Sequence, residues 1–430
     1  MNKLILVPLL LAIAAAPQKQ RGGNQPQPAT ARSIRCTPTS IRVSGGAPEP
    51  VQNSIAAALQ RAAPGALIEL ESGVYKGFSV GFDKQIYWNA RTTGGQRGQP
   101  ITVRGQGDVR IVPDDSGDTI AFSQGVKVGF IEFENLTIVP GYRAGIMFCK
   151  VGAGQKYEGF HFTDCNITGS FDALTQTGTQ SKWGVWGHSL SDFEFRGVAR
   201  PAVVRDIQQE HGFYLQNAKG DITIENVRAS RLGRTFVQFT ARASDGDPGI
   251  GTIAVRNCVV EDACIAAGDD FKGGAAFTVA GRHTGTLIFE KNVYRAGFAT
   301  GIQKLTREGV PYGSGAFVAW DNGGVPNGTL ILRDNEFTLA PGCGDRPVVS
   351  IGGCGDVEIV GVNKFVSGGD KPALELDPVD DQGPSNTLNG RVRIAPTTQL
   401  KGAVRIAGKL VDQAALAALA PPTKAAPTAR

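Results

Sequence analysis

The segment IEFENLTI at residues 131–138 alternates apolar and polar side chains, reaches a polar residue, and starts a second short apolar run. The same plan returns as FHFTDCNI (160–167), FEFRGV (193–198), ITIENV (222–227), IAVRNCVV (253–260), LIFEKNVY (287–294), LILRDNEF (330–337) and residues 357–362. Asn135, Asp164, Gly197, Asn226, Asn257, Lys291, Asp334 and Gly361 mark the ends of the strand cores, in steps of 29, 33, 29, 31, 34, 43 and 27. A period that drifts around thirty residues describes the coils of one solenoid carrying loop insertions of different length. The marker positions are read as turns, because Asn accepts left-handed backbone and can bond to the next coil.

Each repeat holds a second alternating segment, with Ile146/Phe148, Val185, Phe213/Leu215, Val237/Phe239, Phe277/Val279 and Val349/Ile351 as its apolar set. Alternation turns one face inward and the other outward. Equivalent strands of successive coils then stack into parallel sheets around a continuous interior, with no helix between them. Residues 305–315 are the insertion behind the longest step, and read either as a lid or as a long loop.

Composition agrees with an all-β chain. It has 430 residues, 57 of them Gly, two Met, and 19% charged side chains, which suits short strands and tight turns rather than helical bundles. Residues 1–16 combine Lys3, an apolar run and a final Ala-Ala-Ala, the build of a signal peptide, too short to span a bilayer. The protein is therefore expected to be secreted or periplasmic. Residues 17–39 read as a disordered Gln/Pro/Gly-rich linker, 40–405 as the solenoid domain and 406–430 as an Ala/Pro-rich tail. The formal charge is +5, but Lys3, Lys19, Arg21, Arg32 and Arg35 supply all of it, so the remainder is neutral. A neutral body gives no footing for nucleic acid, and attraction for an acidic polymer would have to be local. A monomer is expected. Seven cysteines in an exported chain permit disulfides, with Cys258/Cys264, Cys343/Cys354 and Cys149/Cys165 as the pairs near enough in sequence, and equally permit buried thiols; no spacing matches a zinc site.

Residues 51–63 (VQNSIAAALQRAA) have helical spacing and stop at Pro64-Gly65, which makes them the natural cap for the open end of a solenoid. The run SIAAALQRAAPGALIELESGVY (54–75), with GQPITVRG (98–105), resembles the opening of right-handed parallel β-helix proteins of the pectate-lyase-like superfamily. The resemblance spans residues 40–405 and implies an all-β, right-handed parallel β-helix with an N-terminal capping helix. That superfamily holds lyases, hydrolases, epimerases and non-enzymatic adhesins, so the fold does not choose among activities. An Asp-His pair in an apolar strand with a following Arg-x-Pro-x-x-Arg is missing, and Arg231-Leu-Gly-Arg234 is a partial echo. Asp269-Asp270 resembles the paired aspartates of polygalacturonase-like hydrolases without their companions.

The candidate chemistry is therefore positional. If the second strands stack in register, the residues before them form a ridge of Lys182-Trp183, Glu210-His211, Arg231/Arg234 and Asp269/Asp270/Lys272. Beside it lie the outward positions Trp186/His188, Tyr214/Gln216, Gln238/Thr240 and Thr278. Aromatic faces cover apolar sugar faces while amides and carboxylates bind hydroxyls, so a sugar polymer is the expected partner. Catalytic candidates are His211, Glu210, Tyr214, Arg231, Arg234, Asp269 and Asp270; substrate-binding candidates are Lys182, Trp186, His188, Gln216 and Gln238. His211 reads as a general base with Tyr214 as proton donor and an Arg on a uronate carboxylate, or as the cap of a turn. Asp269 and Asp270 read as glycosidase carboxyls or as a solvated loop. Trp186 faces outward, towards a sugar or an inserted loop; Trp183, three residues earlier, is expected on the opposite side. No cofactor is expected, and Ca²⁺ at the paired aspartates has no recognisable ligand spacing. The leading expectation is an exported polysaccharide lyase or glycoside hydrolase working in a lateral groove. The alternative is a non-catalytic glycan-binding or cell-envelope β-helix.

Overall fold

A computed structural model describes residues 31–81, 90–114, 117–122, 128–152, 154–170, 181–207, 210–242, 244, 246–264, 275–297, 315–321, 324–343, 346–378, 388, 390–412 and 416. The chain is a parallel β-helix, and each coil contributes strands to three walls. The first wall runs through Gly129–Glu134, Tyr157–Thr163, Leu190–Arg196, Ile222–Glu225, Thr252–Arg256, Thr286–Glu290, Thr329–Arg333 and Val357–Val360, each parallel to the next. The second wall follows after a short turn, for example at Val227–Leu232, Val259–Glu261, Val293–Ala296 and Glu336–Leu339. The third wall includes Ala144–Phe148, Trp183–His188, Phe213–Gln216, Val237–Thr240, Ala275–Ala280 and Gly315–Trp320.

The turns between the first two walls follow from the marker residues. Asn135, Asp164, Asn226, Asn257, Lys291, Asp334 and Gly361 all have φ between 52° and 73°. Only Gly197 among the eight markers is outside that set. Behind them, the buried amides of Asn292, Asn335 and Asn363 form a ladder: Asn335 Oδ1 accepts from the backbone N and Nδ2 of Asn292 at 3.0 and 3.1 Å, and Asn363 Oδ1 repeats this for Asn335 at 2.9 and 3.2 Å. Each amide thus satisfies a buried polar group of its neighbour, which is the condition for placing Asn inside.

The interior is apolar and in register. Val185, Phe213, Val237, Phe277, Phe317 and Val349 lie side by side on the third wall and are fully buried. Aromatic columns run along the axis, as at Phe122/Phe148 (4.6 Å, 13°), Phe133/Phe162 (4.8 Å, 10°) and Phe337/Phe365 (5.5 Å, 14°). Burying each such ring contributes about 1.5–3 kcal/mol. Gly187 shares the inward parity of Val185, and a Cβ there would lie 2.5 Å from Leu190 Cδ1 and 2.9 Å from Leu215 Cδ2, so any side chain at this position would push those two leucines aside.

The N-terminal helix is shorter than its sequence pattern, Ser54–Arg61. Asn53 caps it, its Oδ1 accepting from Ala56 N at 3.1 Å, and the chain turns extended at Ala62, ahead of Pro64. Ile55, Ala58 and Leu59 are buried against the first strands, which closes that end. Two expected boundaries need correction. Ala31–Thr37, assigned above to a disordered linker, is a strand that pairs parallel with Ala62–Lys76 and antiparallel with Ser40–Val43. Its Ile34 and Cys36 are fully buried, so the domain begins before residue 40. At the other end Lys409–Leu410 pairs back on Val404–Ile406, extending the ordered chain past residue 405. The seven cysteines form no disulfide, and burial pushes Cys36, Cys165, Cys258 and Cys354 up to about 12. No described helix is long and apolar enough to cross a membrane. Residues 305–314 of the long insertion lie outside the described residues.

Candidate functional site

The outward face of the third wall carries one row of neighbours, Met147, Trp186, Tyr214, Gln238, Thr278 and Val318. A second row runs His188, Gln216, Thr240, Ala280 and Trp320. Parallel pairing without slippage makes these rows, since the side-chain period of two keeps every outward residue outward.

Polar side chains on the two rows lock together around one hydroxyl. The indole Nε1 of Trp186 donates to Gln216 Oε1 at 2.9 Å, and the Gln216 amide donates to the Tyr214 hydroxyl oxygen at 3.1 Å. Arg242 Nη2 donates to the same oxygen at 3.0 Å. Two donors, one of them cationic, therefore converge on the phenolic oxygen. Tyr214 is 8% exposed, with the Trp183 ring 6.5 Å and the His211 ring 4.9 Å from its own.

Trp183 differs from its expected place. Its ring centre is 4.9 Å from that of Trp186, so both indoles share one side. Trp183 is the first residue of its strand, where the wall ends at a corner and strand parity no longer dictates direction.

His211 is 2% exposed and both ring nitrogens face partners. Nδ1 is 2.7 Å from Thr235 Oγ1, and Nε2 is 3.3 Å from Glu210 Oε2. Burial, with the Arg234 charge second, holds its pKa well below the usual imidazole value. A neutral ring facing an acceptor-only carboxylate carries its proton on Nε2 and accepts from Thr235 at Nδ1. Glu210 is in turn bound by Arg234 at 3.0 Å. The sequence-level trio of Glu210, His211 and Arg234 is thus brought together behind Tyr214.

Other candidates are placed elsewhere or are occupied. Arg231 is bonded to Asp206 at 2.5 and 2.8 Å, at the far end of the second wall. His188 is buried, with Nδ1 2.9 Å from Ser189 Oγ. Gln238 donates to Thr240 Oγ1 at 3.0 Å. Lys182 places its ammonium 5.4 Å from the centre of the Tyr142 ring. Asp269, Asp270 and Lys272 lie outside the described residues. Among the described residues no group of three or more His, Cys, Asp or Glu is placed to hold a metal.

Two participants were missed by sequence reasoning. Arg242 continues the outward parity of Gln238 and Thr240, but it lies past the strand core where that reasoning stopped. Thr235 is silent in sequence because only coil stacking places it under His211. A separate cluster on the first wall also escaped notice. His161 Nε2 is 3.3 Å from Asp192 and Nδ1 is 3.5 Å from Glu132, and the Glu132 contact leads the effects that raise its pKa.

No family model and no curated protein matches this chain. Among solved structures, it is similar to an alginate lyase from Paenibacillus sp. str. FPU-7, at 15% identity and a TM-score of 0.46, over 87% of this chain and 99% of that one. The A-module of the mannuronan C-5 epimerase AlgE6 from Azotobacter vinelandii is similar at 12% identity and a TM-score of 0.42, over 80% and 90%. A GH136 lacto-N-biosidase from Eubacterium ramulus follows at 11% and 0.34, over 87% and 67%. At these identities and TM-scores the likeness carries no argument about this chain, and the reacting residues are left to its own geometry.

Proposed function

We propose that this is an exported, carbohydrate-active β-helix protein that cleaves a uronate-containing polysaccharide by β-elimination on its third wall. The observation that carries this reading is the Tyr214 hydroxyl held by Arg242 and Gln216 beside the Trp183 and Trp186 rings. In β-elimination a base removes the proton next to the uronate carboxylate, a carbon–carbon double bond forms, and the glycosidic carbon–oxygen bond breaks as its oxygen is protonated. Tyr214 is the acid/base group, Arg242 offsets the charge on the carboxylate and on the phenolic oxygen, and the indoles take the sugar faces. His211 acts through Tyr214: its buried ring, fixed by Thr235 and Glu210, sets where the phenol stands. A hydrolase needs two carboxyl groups free to act, and among the described candidates Glu210 is committed to Arg234 and His211.

The test is turnover on uronate-containing and neutral polysaccharides, read as unsaturated ends for elimination and as reducing ends for hydrolysis. Unsaturated ends that vanish in Tyr214→Phe support the proposal; reducing ends without unsaturation overturn it in favour of hydrolysis. Glycan retention with no new ends on any polymer would instead favour the non-catalytic binder.

A further inference from the structure

One coil before the indole pair, the third wall presents an aromatic ring that packing does not explain. Tyr142 is 57% exposed, against a norm in this chain of rings buried in the interior. Its position is fixed by the coil stacking: its carbonyl accepts from Lys182 N at 3.1 Å, and the next carbonyl, of Arg143, accepts from Trp183 N at 3.0 Å. Tyr142 is therefore the lateral neighbour of Lys182, one rung of about 4.8 Å along the axis from the residues that open the Trp183 strand.

The Lys182 ammonium is held against that ring, 5.4 Å from its centre, and has no carboxylate partner among the described residues. Asp118, on the adjacent coil, is buried and bound by Arg143. A cation resting on a ring face keeps N–H groups for an acceptor, since Lys carries three donors.

The combination of an exposed ring face and an ammonium without a carboxylate partner among the described residues suits one unit of an acidic sugar: the ring covers the apolar face and the ammonium takes the carboxylate. The rung spacing is comparable to the length of one pyranose unit, so a chain along the axis passes from Tyr142 to Trp183/Trp186 and on to Tyr214. We propose that Tyr142 and Lys182 form a distal subsite for a uronate unit, upstream of the bond cleaved at Tyr214. This inference rests on the groove of the preceding subsection but not on the chemistry assigned there. Tyr142 and Lys182 would bind the sugar directly, and their loss acts on binding rather than on the reacting bond.

The experiment measures affinity of the full chain for uronate oligomers of increasing length and for a neutral oligomer, in wild type, Tyr142→Ala and Lys182→Ala, with KM and kcat where turnover exists. Tyr142→Ala is expected to weaken binding of long oligomers of both kinds about tenfold. Lys182→Ala is expected to weaken the uronate oligomers alone. In both, KM rises while kcat stays, and the shortest oligomers are unaffected. Equal affinity of all three proteins at every length overturns the subsite, as does a Lys182→Ala loss that is the same for neutral sugar. A wild type that binds uronate chains without cleaving them sinks the eliminase reading and leaves the subsite judged on affinity. A wild type that binds no uronate chain sinks both.

Discussion

Arg242 and Tyr214 are 28 residues apart and meet as guanidinium and phenol oxygen at 3.0 Å, because Tyr214 pairs laterally with Gln238 and Arg242 follows on that next coil. The contact gives the wall a charged, donor-rich point among rings. Removing the hydroxyl while keeping the ring should leave the fold intact. Tyr214→Phe is therefore expected to lower turnover by about 10²- to 10⁴-fold, with an unchanged circular dichroism spectrum. Retention of more than a tenth of wild-type activity would remove Tyr214 from the acid/base role.

Gln216 ties Trp186 to Tyr214, accepting from one and donating to the other. Gln216→Leu breaks both bonds and leaves the Trp186 N–H without its partner. Kinetics should show KM and kcat worsening together, since sugar stacking and phenol placement are lost at once. An effect on KM alone would confine Gln216 to binding.

His211 and His161 should give opposite slopes of stability against pH. The His211 pKa is lowered in the fold, so the unfolded chain takes up its proton first, and its contribution is present above the unfolded value of about 6.5 and lost as pH falls below it. The His161 pKa is raised by Glu132, with Glu194 and Asp192 also contributing, so its contribution is full below about 6.5 and lost as pH rises through the folded value. Melting temperatures of His211→Gln and His161→Gln, each subtracted from wild type across pH 5 to 8, should move in opposite directions. Parallel differences would refute the assigned environments.

The Asn ladder should be the most sensitive structural element tested by a single change. Asn335→Leu takes away the acceptor of the Asn292 backbone N–H and of one Asn292 amide hydrogen, and the side-chain donor to the Phe289 carbonyl. Each orphaned group costs about 1–3 kcal/mol, so a marked drop in the denaturant midpoint is expected. A shift within error would mean that neighbouring groups replace the amide.

Cys165 and Cys258 are fully buried thiols pushed up to about 12 by burial, and thiolate is the reactive form. Native protein should leave both unlabelled by a thiol reagent that modifies them readily after denaturation. Rapid labelling of either residue in the native state would contradict the buried environment.

The repeat of strand cores and the marker turns were legible because both follow from local chemistry: alternation sets which face is inward, and Asn, Asp or Gly tolerates the left-handed turn. Register was legible too, since Val185, Phe213 and Val237 must share one interior. The linker boundary was not, because the Ala31–Thr37 strand is short and finds its partner at Ala62–Lys76 through tertiary pairing. Trp183 was misplaced because parity fails at the corner of a wall.

The sequence by itself determined a solenoid and the outward row holding Trp186, Tyr214 and Gln238, since periodicity is a property of the chain. Only the tertiary structure decided which side chains touch. Arg242 reaches Tyr214, Arg231 turns to Asp206, and His211 ends with both nitrogens occupied. The physical reason is that contacts between coils join residues some thirty positions apart, and their geometry depends on loop lengths and corner directions that alternation does not encode.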